Sequence, residues 1–363
     1  MKNLIILFLA IALCKAVLIN VRNNVPRRDT EGNILNAHDG SLIQFGDDFF
    51  LYGSAYIKCH QFNPTCDSCG YLNNTFAIYH SKDMETWKLI TKSCVPEIEK
   101  DNNVINYWSP NVAYNNVTKK YVMSYWSSQY GFRSNHIAMA ISDTPTGPFK
   151  VVPPIEFKGG SISSTTVQIF PTSSGKAYVR YHTRDAPLRH VIEELTPDWL
   201  KSTGKFSVFY VKNEYPWYEG GGMFERNGKY YAMIGTDCCF CQWGGDARIF
   251  IADDPVGKWV ELDQINKCSN GRDPTYTGIS QPINPCSVDD PYGTNFTIPS
   301  QQFSVSTFNI DGEQHFMYFG ERFRSSPDGI KPNDYQAWIP IEFDSRDRVL
   351  PLRWQDSWSM GRK

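Results

Sequence analysis

The chain has 363 residues, of which 20% are charged and 14% aromatic, and its net charge is −2. That balance excludes the basic footprint of a nucleic-acid binder and the polybasic surface of a protein held on anionic membranes. What is left is an aromatic-rich chain whose ten Trp and twenty Tyr suit sheet packing and stacking on sugars.

Residues 1–16 read as a secretory leader: Lys2, an apolar run over 4–13, then Cys14, Lys15 and Ala16. About ten apolar residues are too few to span a bilayer. No later segment reaches that length, so a secreted, soluble domain is expected over 17–363. Ten cysteines fit an oxidising compartment and predict disulfides. Removing Cys14 from the ten leaves nine, in two groups: Cys59, Cys66, Cys69 and Cys94, then Cys238, Cys239, Cys241, Cys268 and Cys286. An odd number leaves at least one thiol free or paired with another chain. The spacing within these groups is not the paired spacing of a zinc ribbon, so no metal site is expected. Asn73, Asn116 and Asn295 open N-x-S/T triplets, the acceptors of glycosylation.

One phrase then recurs five times: an apolar run ending on an aromatic, a short polar turn, and a second strand built on an aromatic. The copies are SLIQFGDDFFLYG, NVAYNNVTKKYVMSYW, TVQIFPTSSGKAYVRYHT, GGMFERNGKYYAMIG and SVSTFNIDGEQHFMYFG, anchored at Phe45, Tyr114, Phe170, Phe224 and Phe308. Alternation, aromatic enrichment and Gly/Asn/Asp turns predict five β-hairpins. A further strand is expected after each, in FAIYHSKDMETWKLI, IAMAISDTPTGPFKVV, HVIEELTPDWL, RIFIADDPVGKWVEL and AWIPIEFDSRDRVLPLRW. Helical periodicity is nearly absent. Repeats too small to bury a core alone predict an all-β fold, a single five-bladed β-propeller. Irregular insertions fall at 58–71, 92–107 and 266–299, and cysteines in them would serve as staples.

A propeller points the start of each innermost strand at its axis. The candidate site residues therefore stand a few positions before each anchoring aromatic: His38 and Asp39; Tyr107, Trp108 and Asn111; Ser164, Thr165 and Thr166; Trp217, Tyr218 and Glu219; Gln301 and Gln302. Two carboxylates, Asp39 and Glu219, face one channel among polar and aromatic neighbours. Such a pair suits glycoside hydrolysis, where one carboxylic acid protonates the leaving oxygen and the other carboxylate activates water or attacks the sugar. Glu219 sits between Trp217/Tyr218 and three glycines, an apolar setting that favours its protonated form. The glycines would let a sugar approach the backbone. The same residues also read as ordinary turns into strands, Asp39-Gly40 above all.

At these residues the chain resembles glycoside hydrolase family 43, from about residue 36 to residue 354. HDGSLIQFGDDFFLYG is similar to the family's first-blade motif, which implies Asp39 as general base. WSPNVAYNNVTKKYVMSYW, followed by AISDTPTGPF, is similar to the second blade of the branch containing exo-acting 1,3-β-galactanases. EGGGMFERNGKYYAMIG resembles the general-acid motif and implies Glu219 as acid, while SQQFSV, YFGERF and QAWIPIEF resemble the last blade. The resemblance implies an inverting hydrolase of arabinosides, xylosides or galactans that needs no cofactor. Some members hold a cation near the axis; His38, His136 and His182 are the histidines that could line it, without forming a ligand triplet.

Two departures bear on activity. The family's third carboxylate, which tunes the acid, is replaced by Thr166, and a Glu-Arg-Pro of the galactanase branch is replaced by Trp108, Ser109 and Pro110. Less nearby negative charge lowers the acid's pKa and leaves it less often protonated at neutral pH.

The expected function is hydrolysis of galactan-, arabinan- or xylan-type polysaccharides or oligosaccharides. Glu219 is the acid, Asp39 the base, and His38, Tyr107, Trp108, Thr166, Trp217, Tyr218 and Gln301 surround the sugar. Inversion needs the two carboxyl groups roughly 6.5–9.5 Å apart. The alternatives are a non-catalytic carbohydrate-binding propeller that has lost the third carboxylate, and a propeller that binds protein through its loops.

Overall fold

Each repeated phrase folds into an antiparallel hairpin that opens one sheet. The computed structural model describes residues 18–60, 74–96, 98, 106–128, 135–162, 166–183, 189–211, 218–236, 247–266, 298 and 300–361; at 135, 218, 219, 236 and 263–266 it describes the backbone only. The leader over 1–16 and every cysteine except Cys59 and Cys94 lie outside these residues, as do Asn73 and Asn295.

Blade one contains β2 (His38–Phe45), β3 (Asp48–Ala55), β4 (Thr75–Ser81) and β5 (Lys88–Thr91). Blade two contains β6 (Asn106–Asn115), β7 (Lys120–Ser128), β8 (Asn135–Ser142) and β9 (Lys150–Val152). Blade three contains β10 (Gln168–Pro171), β11 (Ala177–His182), β12 (Arg189–Leu195) and β13 (Ser202–Tyr210). Blade four contains β14 (Tyr218–Arg226), β15 (Lys229–Thr236), β16 (Ala247–Ala252) and β17 (Val260–Asn266). Blade five contains β18 (Gln301–Ile310), β19 (Glu313–Arg322) and β20 (Tyr335–Pro340). The fold is the expected five-bladed propeller, and the strands expected after each hairpin carry a fourth strand in four of the blades.

The hairpin turns follow from their residues. Asn227-Gly228 and Asp311-Gly312 adopt positive φ at both positions (49° and 73°, 52° and 80°), the two-residue turn whose twist matches the flanking strands.

The outermost sheet joins the two ends of the chain. β1 (Ile19–Arg22) pairs antiparallel with β21 (Ser357–Met360). The Asn23 side chain extends this clasp onto blade five, donating from Nδ2 to the Trp338 carbonyl (2.9 Å) and accepting the Trp338 N–H at Oδ1 (2.9 Å).

Because one face of each blade must be covered by the next, the core is divided among blade interfaces. Separate apolar clusters fill the one–two, two–three, three–four, four–five and five–one contacts, the last joined by Ile19, Val21 and Met360 of the clasp. Trp87 and Trp338 meet edge to face in the five–one cluster, with ring centroids 5.8 Å apart.

The innermost strands contact one another in a closed ring, β2 to β6 to β10 to β14 to β18 and back to β2. Polar side chains near their starts bolt the ring. Ser304 Oγ donates to the Gly40 carbonyl (2.9 Å) and Ser41 Oγ to the Pro110 carbonyl (2.9 Å). Asn111 Oδ1 accepts the Ile169 N–H (3.1 Å), and the Gln168 amide bonds to both backbone groups of Met223. Asn111 is therefore a structural link between blades two and three.

Candidate active site

The ring brings the starts of the innermost strands to one end of the axis, where a shared distortion re-aims their residues. In blades one, two, four and five the first pair of strands slips register, between His38 and Ser41, Trp108 and Asn111, Tyr218 and Gly220, and Gln302 and Ser304. A bulge of this kind bends the strand and turns a side chain out of the alternation. Asp39 and Ser109 occupy equivalent bulge positions and share a left-handed backbone, φ 54° in both.

Asp39 is 2% exposed, and Oδ1 has no hydrogen-bond partner among the described residues. Its N–H donates to Glu321 Oε1 (2.9 Å). The other oxygen of Glu321, Oε2, lies 3.0 Å from His38 Nδ1, and His38 Nε2 donates to the Pro332 carbonyl (3.1 Å). His38 also stacks on Tyr56, with centroids 5.2 Å apart. Both His38 nitrogens are thereby committed, which leaves none for a cation. Lys331 and Asp334, both buried, pair at 3.2 Å beside this group. Burial, and then the Glu321 carboxylate, push the Asp39 carboxyl well above the usual carboxylate range, with Asp334 adding to the effect and Lys331 opposing it.

In blade two the aromatics do not form an open platform. Tyr107 is 4% exposed and packs between blades one and two, against Phe76 and Tyr125, with its backbone paired to the Asn74 side chain. Trp108 is 8% exposed and stacks flat on Trp126, with centroids 4.4 Å and planes 12° apart, in a cluster completed by Tyr56.

Blade three presents a basic group beside Thr166, the position where the resemblance implies a carboxylate. Thr166 is buried, and its hydroxyl accepts from Arg180 Nη1 (2.9 Å). Arg180 is 0% exposed; Nη2 donates to the Gly220 carbonyl (3.1 Å) and to His190 Nδ1 (3.3 Å). Burial, then Arg180 and His182, hold the His190 imidazole well below its ordinary range, so His190 stays neutral. His182 is buried on β11 and His136 is half-buried on β8. Among the described residues no group of three His, Cys, Asp or Glu side chains is placed to hold a metal ion.

Glu219 is the bulged residue at the start of β14, and the guanidinium of Arg180 reaches the carbonyl of the very next residue. The three glycines after it are used by the fold. A Cβ at Gly220 would stand 2.0 Å from the Gln302 carbonyl oxygen, and one at Gly222 would stand 2.3 Å from the Val305 nitrogen. They let blades four and five approach backbone to backbone, rather than opening the site to a sugar. The side chains of Tyr218 and Glu219, and all of Ser164, Thr165 and Trp217, lie outside the described residues. Gln301 is buried opposite Glu321, and Gln302 donates to the Met233 carbonyl (3.4 Å).

This arrangement of repeated sheets and bulged strand starts agrees with the sequence match. The chain matches the family described as glycosyl hydrolases family 43 over residues 34–276. It belongs to that family. The chain matches no curated protein sequence. Its fold is similar to that of a family 43 β-1,3-galactosidase, with 21% identity, TM-score 0.69, and 94% of this chain and 63% of that one covered. A second family 43 β-1,3-galactosidase, solved with galactodeoxynojirimycin, gives 19% identity and TM-score 0.70, covering 93% of this chain and 99% of that one. An exo-β-1,3-galactanase from Clostridium thermocellum gives 21% identity and TM-score 0.68, covering 93% of this chain and 66% of that one. The chain thus spans less than two thirds of the length of the first relative. At these identities the likeness shows the fold.

Glu321, Arg180, Lys331 and Asp334 are the residues that sequence reasoning missed in this family 43 propeller. A signal for Arg180 was present: a lone charge inside the apolar strand AYVRYH marks a buried, partnered group. Glu321 lies inside YFGERF, which carried the resemblance without suggesting a role.

Proposed function

We propose that this family 43 member hydrolyses β-1,3-linked galactans or their oligosaccharides, with Asp39 as general base and Glu219 as general acid. The observation that carries the reading is Asp39 itself: an uncommitted carboxylate oxygen on a left-handed bulge, at the axial end of the first blade. A base works best when its pKa approaches the operating pH, and the raised Asp39 value moves it that way. Galactose-type substrates are favoured over arabinan and xylan because the fold neighbours are described as β-1,3-galactosidases and an exo-β-1,3-galactanase.

The leader-like residues 1–16 support secretion, and the cysteine groups support disulfides in the loops. Cys94 stands apart from them: it is a free, buried thiol. Asn116, exposed in the β6–β7 turn, is an acceptor accessible to a glycan.

A second reading has its own observation. Thr166 stands in place of a carboxylate and Arg180 bonds the Gly220 carbonyl, so blade three supplies positive rather than negative charge beside the start of β14. That reading is a carbohydrate-binding propeller without turnover. Release of reducing sugar from β-1,3-galactan, arabinan and xylan decides between them. Turnover on galactan that falls about 10²–10⁴-fold in Glu219→Gln is expected. Saturable binding with no release of sugar would establish the second reading.

A further inference from the structure

The wall around Asp39 holds more than a two-carboxylate mechanism uses. Glu321 is fully buried at the end of β19, and each of its oxygens is engaged. Oε1 accepts the Asp39 N–H (2.9 Å) and the Gln336 Nε2–H (3.1 Å), and Gln336 is itself held by the Ala37 carbonyl at 2.6 Å. Oε2 faces His38 Nδ1 (3.0 Å). The Pro332 carbonyl can only accept, so His38 Nε2 carries a proton. One further proton then lies between His38 Nδ1 and Glu321 Oε2, whichever of the two holds it. A left-handed backbone is unusual for Asp in a strand and persists only where the surroundings hold it, and the bond from the Asp39 N–H to Glu321 does so.

We propose that Glu321 is a positioning residue for the base: one oxygen fixes the bulge that aims and buries Asp39, and the other fixes His38. The inference rests on the reading of Asp39 as base. The charged and titratable groups around Asp39 are His38 on its own strand, Glu321 on β19, and Lys331 and Asp334 at the short turn over 331–334. Glu321 and Asp334 favour the protonated carboxyl and Lys331 the ionised one, but burial is the largest cause, so losing the bulge that buries Asp39 lets it ionise at lower pH. In this wall a carboxylate acts on the base, while the position that tunes the acid elsewhere in the family is neutral.

The test uses the full-length protein carrying Glu321→Ala, with Glu321→Gln beside it. Gln keeps an acceptor for the Asp39 N–H and offers N–H to His38 Nδ1, so the bulge is retained, whereas Ala keeps neither bond. The Asp39 carboxyl is followed by ¹³C NMR titration, assigned by its loss in Asp39→Asn, alongside the pH profile of kcat/KM on a β-1,3-galactan oligosaccharide. In Glu321→Ala the Asp39 midpoint should fall by about one pH unit, with the acid limb of the profile moving the same way, while Glu321→Gln holds both near wild type.

An unchanged midpoint in Glu321→Ala overturns the proposal even if kcat falls, because Glu321 then does not hold the bulge that buries Asp39. If that variant does not fold, a midpoint in Glu321→Gln that drops to the ordinary carboxylate range overturns it equally. A protein that never turns over galactan defeats the functional reading, and the NMR midpoints still judge Glu321.

Discussion

Two walls of one channel, built from the same repeated strand phrase, have opposite chemistry. Blades five and one place Asp39, Glu321 and Asp334 together with His38 and Lys331, and the acid among them that keeps an uncommitted oxygen is pushed toward its neutral form. Blades three and four place Arg180 between Thr166, Gly220 and a neutral His190. The backbone at the two walls is alike, a bulge at the start of an inner strand. The proton affinity of Asp39 is therefore set by which side chains the neighbouring blades send to the axis.

The comparison breaks most severely at Asp39. Asp39→Asn should lower hydrolysis by about 10²–10⁴-fold, measured as kcat/KM on galactan oligosaccharides. The same variant has a stability signature. A carboxyl raised in the fold stabilises below its unfolded pKa, and that contribution is lost as pH rises through the folded value. The Tm of Asp39→Asn relative to wild type should thus climb with increasing pH; a pH-independent difference would show that the Asp39 carboxyl is not raised in the fold.

The basic wall breaks at Arg180. Arg180→Met removes the buried bonds to the Gly220 carbonyl and the Thr166 hydroxyl and should destabilise by about 2–4 kcal/mol in chemical denaturation. Thr166→Asp sharpens the contrast instead. A carboxylate against Arg180 restores negative charge near the start of β14, which should raise neutral-pH activity about tenfold and move the alkaline limb of the pH profile upward. The smallest effect belongs to a bolt within the wall of blades five and one. Ser304→Ala removes the hydroxyl bond to the Gly40 carbonyl and should cost about 1 kcal/mol, seen as a small fall in Tm with the pH profile unmoved.

Much of the fold was legible because its signals are local. Alternation and turn chemistry mark each hairpin, so β2–β3, β6–β7, β10–β11, β14–β15 and β18–β19 fall on the five phrases read from the sequence. The roles of the residues around those hairpins were less legible. Tyr107 and Trp108 carry the pattern of sugar-stacking rings, yet one is core and the other is covered by Trp126, since a strand's pattern does not reveal how closely the next blade packs. The glycines after Glu219 read as an open approach to the backbone, and they serve the contact with blade five.

The sequence by itself determined the repeat, the five hairpins and the positions that start each innermost strand, because strand alternation and two-residue turns act over a few neighbouring residues. Only the tertiary structure decided what those positions feel. Glu321 stands 282 residues from Asp39, and Arg180 stands 40 from Gly220. Charge acts through space, so the protonation of a buried carboxylate becomes readable only once ring closure has brought distant blades together.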